Sequence, residues 1–342
     1  MSEGVIVNGP GPAVDGLRTT NSSNGPVMVL TTWVYKEGLI QAYCLPYLRI
    51  VSQFLKGEAI YLFTQEKQLP NAVELAKVNT ELATWNIVWC PRSYTSFGWK
   101  KYTSTLTDLW SLWRFVNRKK IQRIHCFCTP AGMHGYLLSK LTGKELIIDS
   151  YEPHAESMVE NGTWSKDSAA FKVLWHFEKK QSARARFCIQ AATGMDEYAK
   201  KKYGVDIISA GVRPACTDVD RFQFDAVAAK KLRNAWQWED KIVALYAGKF
   251  GGIYLDQEVF DLLKEAYDRW GDRLRVLLLT PSKLEEIVPF CEKAGLPTNI
   301  FHLTLAPHDE MPTYLSVADF ALCPVKPVPS KRYCTPTKDG EY

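Results

Sequence analysis

From Val27 onward, short and nearly continuous apolar runs alternate with stretches whose apolar residues recur every three or four positions. The runs lie at 27–33, 59–64, 86–90, 123–128, 145–149, 186–190 and 206–209. Between them, 39–55, 106–117, 132–141, 168–183 and 194–203 carry helical spacing. Continuous apolar strands separated by helices predict a parallel sheet covered on both faces. Between about 210 and 240 the pattern loosens into a turn-rich connector containing Gly211-Val-Arg-Pro-Ala-Cys-Thr-Asp. A second alternation follows, with strands at 242–248, 274–280, 299–305 and 320–324 and helices at 255–269, 283–294 and 308–316. The expected fold class is therefore α/β, with two Rossmann-like doubly wound domains whose strand ends face one another across a cleft.

The first 26 residues are rich in Gly, Pro, Ser and Asn and lack periodicity, which predicts a disordered leader. The first domain is expected over 27–209 and the second over 210–342. The chain reaches Gly340-Glu341-Tyr342 in what reads as the start of a helix, so the second domain is expected to be incomplete.

Composition changes this picture little. The chain has 342 residues, 46% of them hydrophobic and 23% charged, as in ordinary globular proteins. Its 42 basic and 37 acidic residues give a net charge of +5. That is a small excess, and the doublets Lys119-Lys120 and Lys179-Lys180 and the triplet Lys200–Lys202 are scattered, so no nucleic-acid partner is expected. They leave room for weak attraction to anionic lipid or anionic nucleotide. Nine cysteines, several inside apolar runs, suit buried thiols in a reducing compartment. Neither a signal peptide nor an apolar run of about 18 residues is recognisable. The sequence predicts a cytoplasmic protein, with peripheral contact at the inner face of the membrane left open.

Four segments carry candidate chemistry. After the first run, Trp33-Val-Tyr-Lys-Glu-Gly-Leu-Ile-Gln leads into a helix, and Glu37 and Gly38 stand where free amides and the helix dipole could meet a phosphate. At the end of the fifth run, Asp149, Glu152, His154 and Glu156 cluster where open α/β sheets bind ligands, and carboxylates beside an imidazole suit proton transfer or sugar hydroxyls. Tyr246-Ala-Gly-Lys-Phe-Gly-Gly-Ile-Tyr ends the first strand of the second domain; Gly248, Lys249 and Gly251 suit a diphosphate. Finally, Ala318-Asp319 and an apolar strand ending in proline precede Thr337-Lys-Asp-Gly-Glu-Tyr, which offers Lys338 and Glu341.

In this order the four segments resemble the family 4 glycosyltransferases (GT-B fold, glycosyl transferases group 1, bacterial type) over roughly 27–342. The resemblance implies a hexosyltransferase-like enzyme of polysaccharide biosynthesis. It would move a sugar from a nucleoside-diphosphate sugar to a glycan or lipid-linked acceptor with retention, with no cofactor and no metal. It implies donor contacts at Gly248, Lys249, Gly251, Lys338 and Glu341, an acceptor or phosphate loop at Glu37 and Gly38, and catalytic residues Asp149, Glu152 and His154. The sequence departs from the family pattern at three places. Glu37-Gly38 replaces a Gly-Gly pair, Tyr254 stands where a second cation is usual, and Tyr333 stands where a first glutamate is usual. Those departures keep open a non-transferring protein on the same fold, such as a sugar-nucleotide epimerase or a nucleotide-binding scaffold. A dinucleotide oxidoreductase fits worse, because no GxGxxG follows the first run.

Overall fold

The structure, a computed structural model, describes residues 25–94 and 99–342; most of the expected leader lies outside them. The first seven strands are β1 (Val27–Leu30), β2 (Ile60–Glu66), β3 (Ile87–Ser93), β4 (Arg123–Phe127), β5 (Glu145–Tyr151), β6 (Phe187–Gln190) and β7 (Ala210–Val212). They form one parallel sheet in the order β3-β2-β1-β4-β5-β6-β7. Alternate residues of β1 enter different cores: Met28 and Leu30 join one cluster, Val27 and Val29 the other. All four are buried, which is why the run reads as continuously apolar. Helix Thr129–Thr142 packs closely on the sheet and on helix Ala169–Arg184, because Gly132 has no side chain; a Cβ there would overlap Gln181 and Ile148.

The second sheet comprises β8 (Ile242–Ala247), β9 (Leu274–Leu279), β10 (Phe301–Thr304) and β11 (Phe320–Ala321), parallel in the order β10-β9-β8-β11. In each sheet the strand order reverses beside the first strand, between β1 and β4 and between β8 and β11. These are the switch points at whose carboxyl ends a doubly wound sheet binds ligands.

Several boundaries differ from the sequence expectation. The seventh strand was expected at 206–209 and lies at Ala210–Val212. Asp206 is instead exposed and paired with Lys200 at 2.9 Å, so the chain enters the sheet only after it. The connector contains helix Ala226–Trp236, started by Asp225, whose carboxylate accepts the amides of Val227 and Ala228. The expected single helix 39–55 begins as a π-helical segment, Leu39–Cys44, and becomes α-helical at Leu45–Phe54. The expected strand 320–324 is regular only at Phe320 and Ala321, with the Leu322 amide donating to Leu245 O at 2.8 Å as the last bond to β8.

Candidate functional site

At the carboxyl end of the first sheet, Asp149 has no exposed surface. His125 Nε2 lies 3.0 Å from its Oδ2. Arg213 Nη2 donates to its Oδ1 at 2.6 Å, and Tyr43 OH donates to the same oxygen at 3.4 Å. The Ser150 amide also donates to it, at 2.6 Å. Burial alone would raise this carboxyl, but the hydrogen bond and charge of His125 and the charge of Arg213 hold it below the ordinary aspartate value. Arg213 lies over the rings of Tyr43 and Tyr47, its Cζ 4.5 and 4.1 Å from their centroids. Asp149 thus stands behind the surface as the centre of a saturated network.

Glu152 and His154 stand further forward, with side chains 20% and 28% exposed and His154 Nδ1 3.6 Å from Glu152 Oε1. Burial would raise the Glu152 carboxyl, yet the His154 hydrogen bond and charge, Lys331 and the Cys334 thiol together leave it lowered. Glu156 does not join them; Tyr198 OH and Lys202 hold it on the far side of its helix. Beneath His154, buried Glu178 accepts from the Ala155 amide at 3.0 Å, Thr129 Oγ1 at 3.0 Å and Tyr203 OH at 2.9 Å. Burial outweighs these donors and pushes its carboxyl up to about 7.

Backbone strain gathers beside the same strand ends. Cys128, after β4, has φ 66° and ψ 155°, a region that side chains normally avoid at a cost of about 1–3 kcal/mol. Ser150 in β5 has φ 50°. In the loop after β1, Glu37 Oε2 accepts the Val34 amide at 3.3 Å, and Gly38 is exposed with ordinary helical angles.

The carboxyl end of the second sheet is built differently. Gly248 follows β8 with φ 139°, and a Cβ there would sit 3.1 Å from both Cε and Nζ of Lys338. Lys338 Nζ lies 3.9 Å from the centroid of the Tyr254 ring, so this cation rests on an aromatic face. Tyr246 OH donates to the carbonyl of Lys249, and the Lys249 side chain is exposed and makes no ion pair among the described residues. The turn through Gly251 and Gly252, both at positive φ, is fastened to the segment after β11: Leu255 donates to Pro324 O at 2.8 Å and Lys326 donates to Ile253 O at 3.0 Å. Glu341 is half-buried; burial raises its carboxyl against the opposing charges of Lys338 and Arg221. Tyr342 OH accepts the Ala247 amide at 3.1 Å.

One segment, 330–337, joins the two ends. The Ser330 amide donates to Glu160 at 2.9 Å, the Cys334 thiol donates to Glu152, and Thr335 Oγ1 accepts the Ala215 amide at 2.7 Å. Leu39, Tyr43, Ser150, Glu152, Ala191, Ala215, Thr335 and Thr337 line a small recess between the halves. Glu152 therefore shares a cavity with the residue preceding Lys338. The structure brings Glu152 and His154 together on one side, and Gly248, Lys338 and Glu341 on the other. It leaves Lys249 and Gly251 on the adjoining turn, Gly38 next to recess-lining Leu39, and Asp149 in the interior.

Structures of the same architecture include HepE of Anabaena in complex with UDP and glucose. Its TM-score is 0.59 at 13% identity, and the match covers 87% of this chain and 73% of that one. Sucrose-phosphate synthase from Thermosynechococcus elongatus gives 0.63 at 12% identity, covering 87% and 74%. WaaG, a glycosyltransferase involved in lipopolysaccharide biosynthesis, gives 0.58 at 12%, covering 88% and 75%. The fold is GT-B. No protein-family model matches the chain, and no curated protein matches it in sequence. At these identities it is the GT-B architecture that is shared, with its paired sheets and the cleft at their carboxyl ends. Arg213, Cys334 and Tyr342, which organise this GT-B cleft, were not singled out in the sequence.

Proposed function

We propose that the chain is a glycosyltransferase that moves a sugar from a nucleoside-diphosphate sugar to a glycan or lipid-linked acceptor, with retention. The observation that carries the reading is the Lys338 ammonium held against Gly248 at the switch point between β8 and β11. As the bond between the anomeric carbon and the diphosphate oxygen breaks, negative charge grows on the leaving phosphate. An ammonium fixed there stabilises that charge more than it stabilises the ground state. Lys249 supplies a second positive charge from the adjoining turn, the amides around Gly251 supply neutral donors, and Glu341 holds the ribose hydroxyls. Across the recess, His154 and Glu152 receive the acceptor hydroxyl, with Glu152 orienting the imidazole. Asp149 acts through Arg213 and His125 as a positioning residue.

Calorimetric titration with UDP, GDP and ADP tests the donor half, with transfer to a sugar acceptor as the second readout. Binding of at least one nucleoside diphosphate that is lost in Lys338→Ala is expected. A folded protein that binds none of them sinks the reading. A sugar-nucleotide epimerase is the second reading, favoured by Tyr254 at the place of a second cation. It would convert a free nucleotide sugar with no acceptor present, which a transferase would not do.

A further inference from the structure

Helix Trp99–Arg118 crosses one face of the first sheet and buries Leu112 and Val116 against it. Its other side is unusual. Trp110 and Trp113 are 58% and 40% exposed, although indoles are normally among the more covered side chains. Arg114 lies over Trp110, 4.7 Å from the ring centroid, and Asn117 and Arg118 are exposed beside it. At about 100° per residue, positions 110, 113, 114, 117 and 118 fall within one arc of about 140°. Lys119 and Lys120 continue the basic run past the helix end, Lys119 over the ring of Tyr61 at 5.4 Å. None of these four cations forms an ion pair among the described residues. The helix has a single acidic residue, Asp108, and it is occupied by Arg92.

We infer that this face is a docking surface for an anionic lipid bilayer, with Trp110 and Trp113 entering the headgroup region and Arg114, Arg118, Lys119 and Lys120 meeting lipid phosphates. Two exposed indoles on a helix rimmed by unpaired cations match the chemistry of the bilayer interface, which wets one edge of an indole and buries the other. Charge complementarity singles out anionic over neutral lipid. No helix among the described residues is long and apolar enough to cross a membrane, so attachment through this face would be peripheral. The inference does not depend on the glycosyltransferase reading, and it distinguishes Lys119-Lys120 from the other basic clusters, which lack neighbouring exposed tryptophans.

Co-sedimentation of the full chain with vesicles of phosphatidylcholine, with and without phosphatidylglycerol, tests it, with tryptophan emission as a second signal. Binding to the phosphatidylglycerol vesicles only is expected, weakened by salt and accompanied by a blue shift. Each cation replaced among Arg114, Arg118, Lys119 and Lys120 by Gln should lower partitioning about five-fold. Trp110→Ser with Trp113→Ser should remove the blue shift, while far-ultraviolet circular dichroism checks folding. Replacing Lys179 and Lys180 by Gln should change partitioning far less. No binding to phosphatidylglycerol vesicles at low salt overturns the inference. So does binding unaltered in the folded tryptophan and cation variants, or concentration-dependent self-association through this face without vesicle binding.

Discussion

The carboxyl ends of the two sheets are opposites in charge bookkeeping. At the first, the central carboxylate is already answered: Asp149 is met by Arg213, His125, Tyr43 and an amide, and Glu152 by His154 and the Cys334 thiol. At the second, Lys338 faces an aromatic ring, with Glu341 near enough only to feel its charge, and Lys249 faces solvent; neither forms an ion pair among the described residues. A saturated network fixes geometry before any ligand arrives. Unanswered cations beside glycines leave room and charge for an anion that comes and goes. The proposed function uses this difference, with positioning at the first end and anion capture at the second.

The sharpest way to break this contrast is to unbalance the saturated end. Arg213→Met leaves the buried Asp149 carboxylate without its guanidinium. Removing one partner of a buried pair costs about 3–5 kcal/mol, so a loss of that order is expected in urea unfolding. Adding Asp149→Asn removes the stranded charge and should restore part of the stability, because contacting residues do not add. A double variant as unstable as the sum of the two single changes would mean that Asp149 and Arg213 do not act as a pair.

At the open end the same kind of change should spare stability and strike the ligand. Lys338→Ala removes a cation that rests on aromatic rings and makes no ion pair among the described residues. The expected result is a melting curve close to wild type, with weaker nucleoside-diphosphate binding and turnover lowered by about 10²–10³-fold, the usual scale for one lost transition-state donor. Gly248→Ala should impair both stability and binding, since φ 139° disfavours a side chain and the added carbon presses on the Lys338 amine. If Lys338→Ala proved strongly destabilising with unchanged nucleotide affinity, the two ends would not differ in the way described.

Glu178 sharpens the comparison through pH. Its carboxyl rises from the usual 4.5 to about 7 because it is buried under helix His154–Glu160. Folding therefore favours the protonated form. The contribution is fully present below about pH 4.5 and is lost as pH rises through about 7, amounting to about 3 kcal/mol across that window. Glu178→Gln keeps an acceptor for Thr129 and the Ala155 amide and has no charge to bury. Between pH 5 and 8 the wild type should lose stability relative to this variant, as read by thermal unfolding at each pH. Parallel curves for the two would show that Glu178 ionises alike in the folded and unfolded chain, with no upward shift.

How much of this was legible follows from range. The central strands β1 and β4 of the first sheet announce themselves because both their faces are apolar and buried, and β1, β4 and β8 were placed to within a few residues. Gly248 and Lys338 could be marked separately because each sits in a local pattern. Their contact spans 90 positions and has no local signature. The Asp149 network is less legible still. Arg213 is 64 positions away, after a three-residue strand too short to show alternation, and its charge reads as surface until the sheet closes. The π-helical start of the helix at Leu39 has the same apolar spacing as an α-helix over six residues, so the sequence cannot separate them.

The smallest expected effect is at Gly38, and it decides what the first loop is for. Its angles, φ −53° and ψ −36°, suit any residue, and a Cβ would meet nothing within 4 Å. Nothing inside the protein requires glycine there. Gly38→Ala should therefore fold at least as well as wild type, gaining about 0.4–1 kcal/mol from a less flexible unfolded chain. If the open space above Gly38 is where the transferred sugar or its acceptor approaches the backbone, the methyl group intrudes on the ligand alone. The expected signature is a several-fold higher KM for acceptor at unchanged nucleotide affinity and undiminished melting temperature. An unchanged KM would place ligand approach on the Glu152 side of the recess and leave the loop after β1 as a cap, held by Glu37 on the Val34 amide.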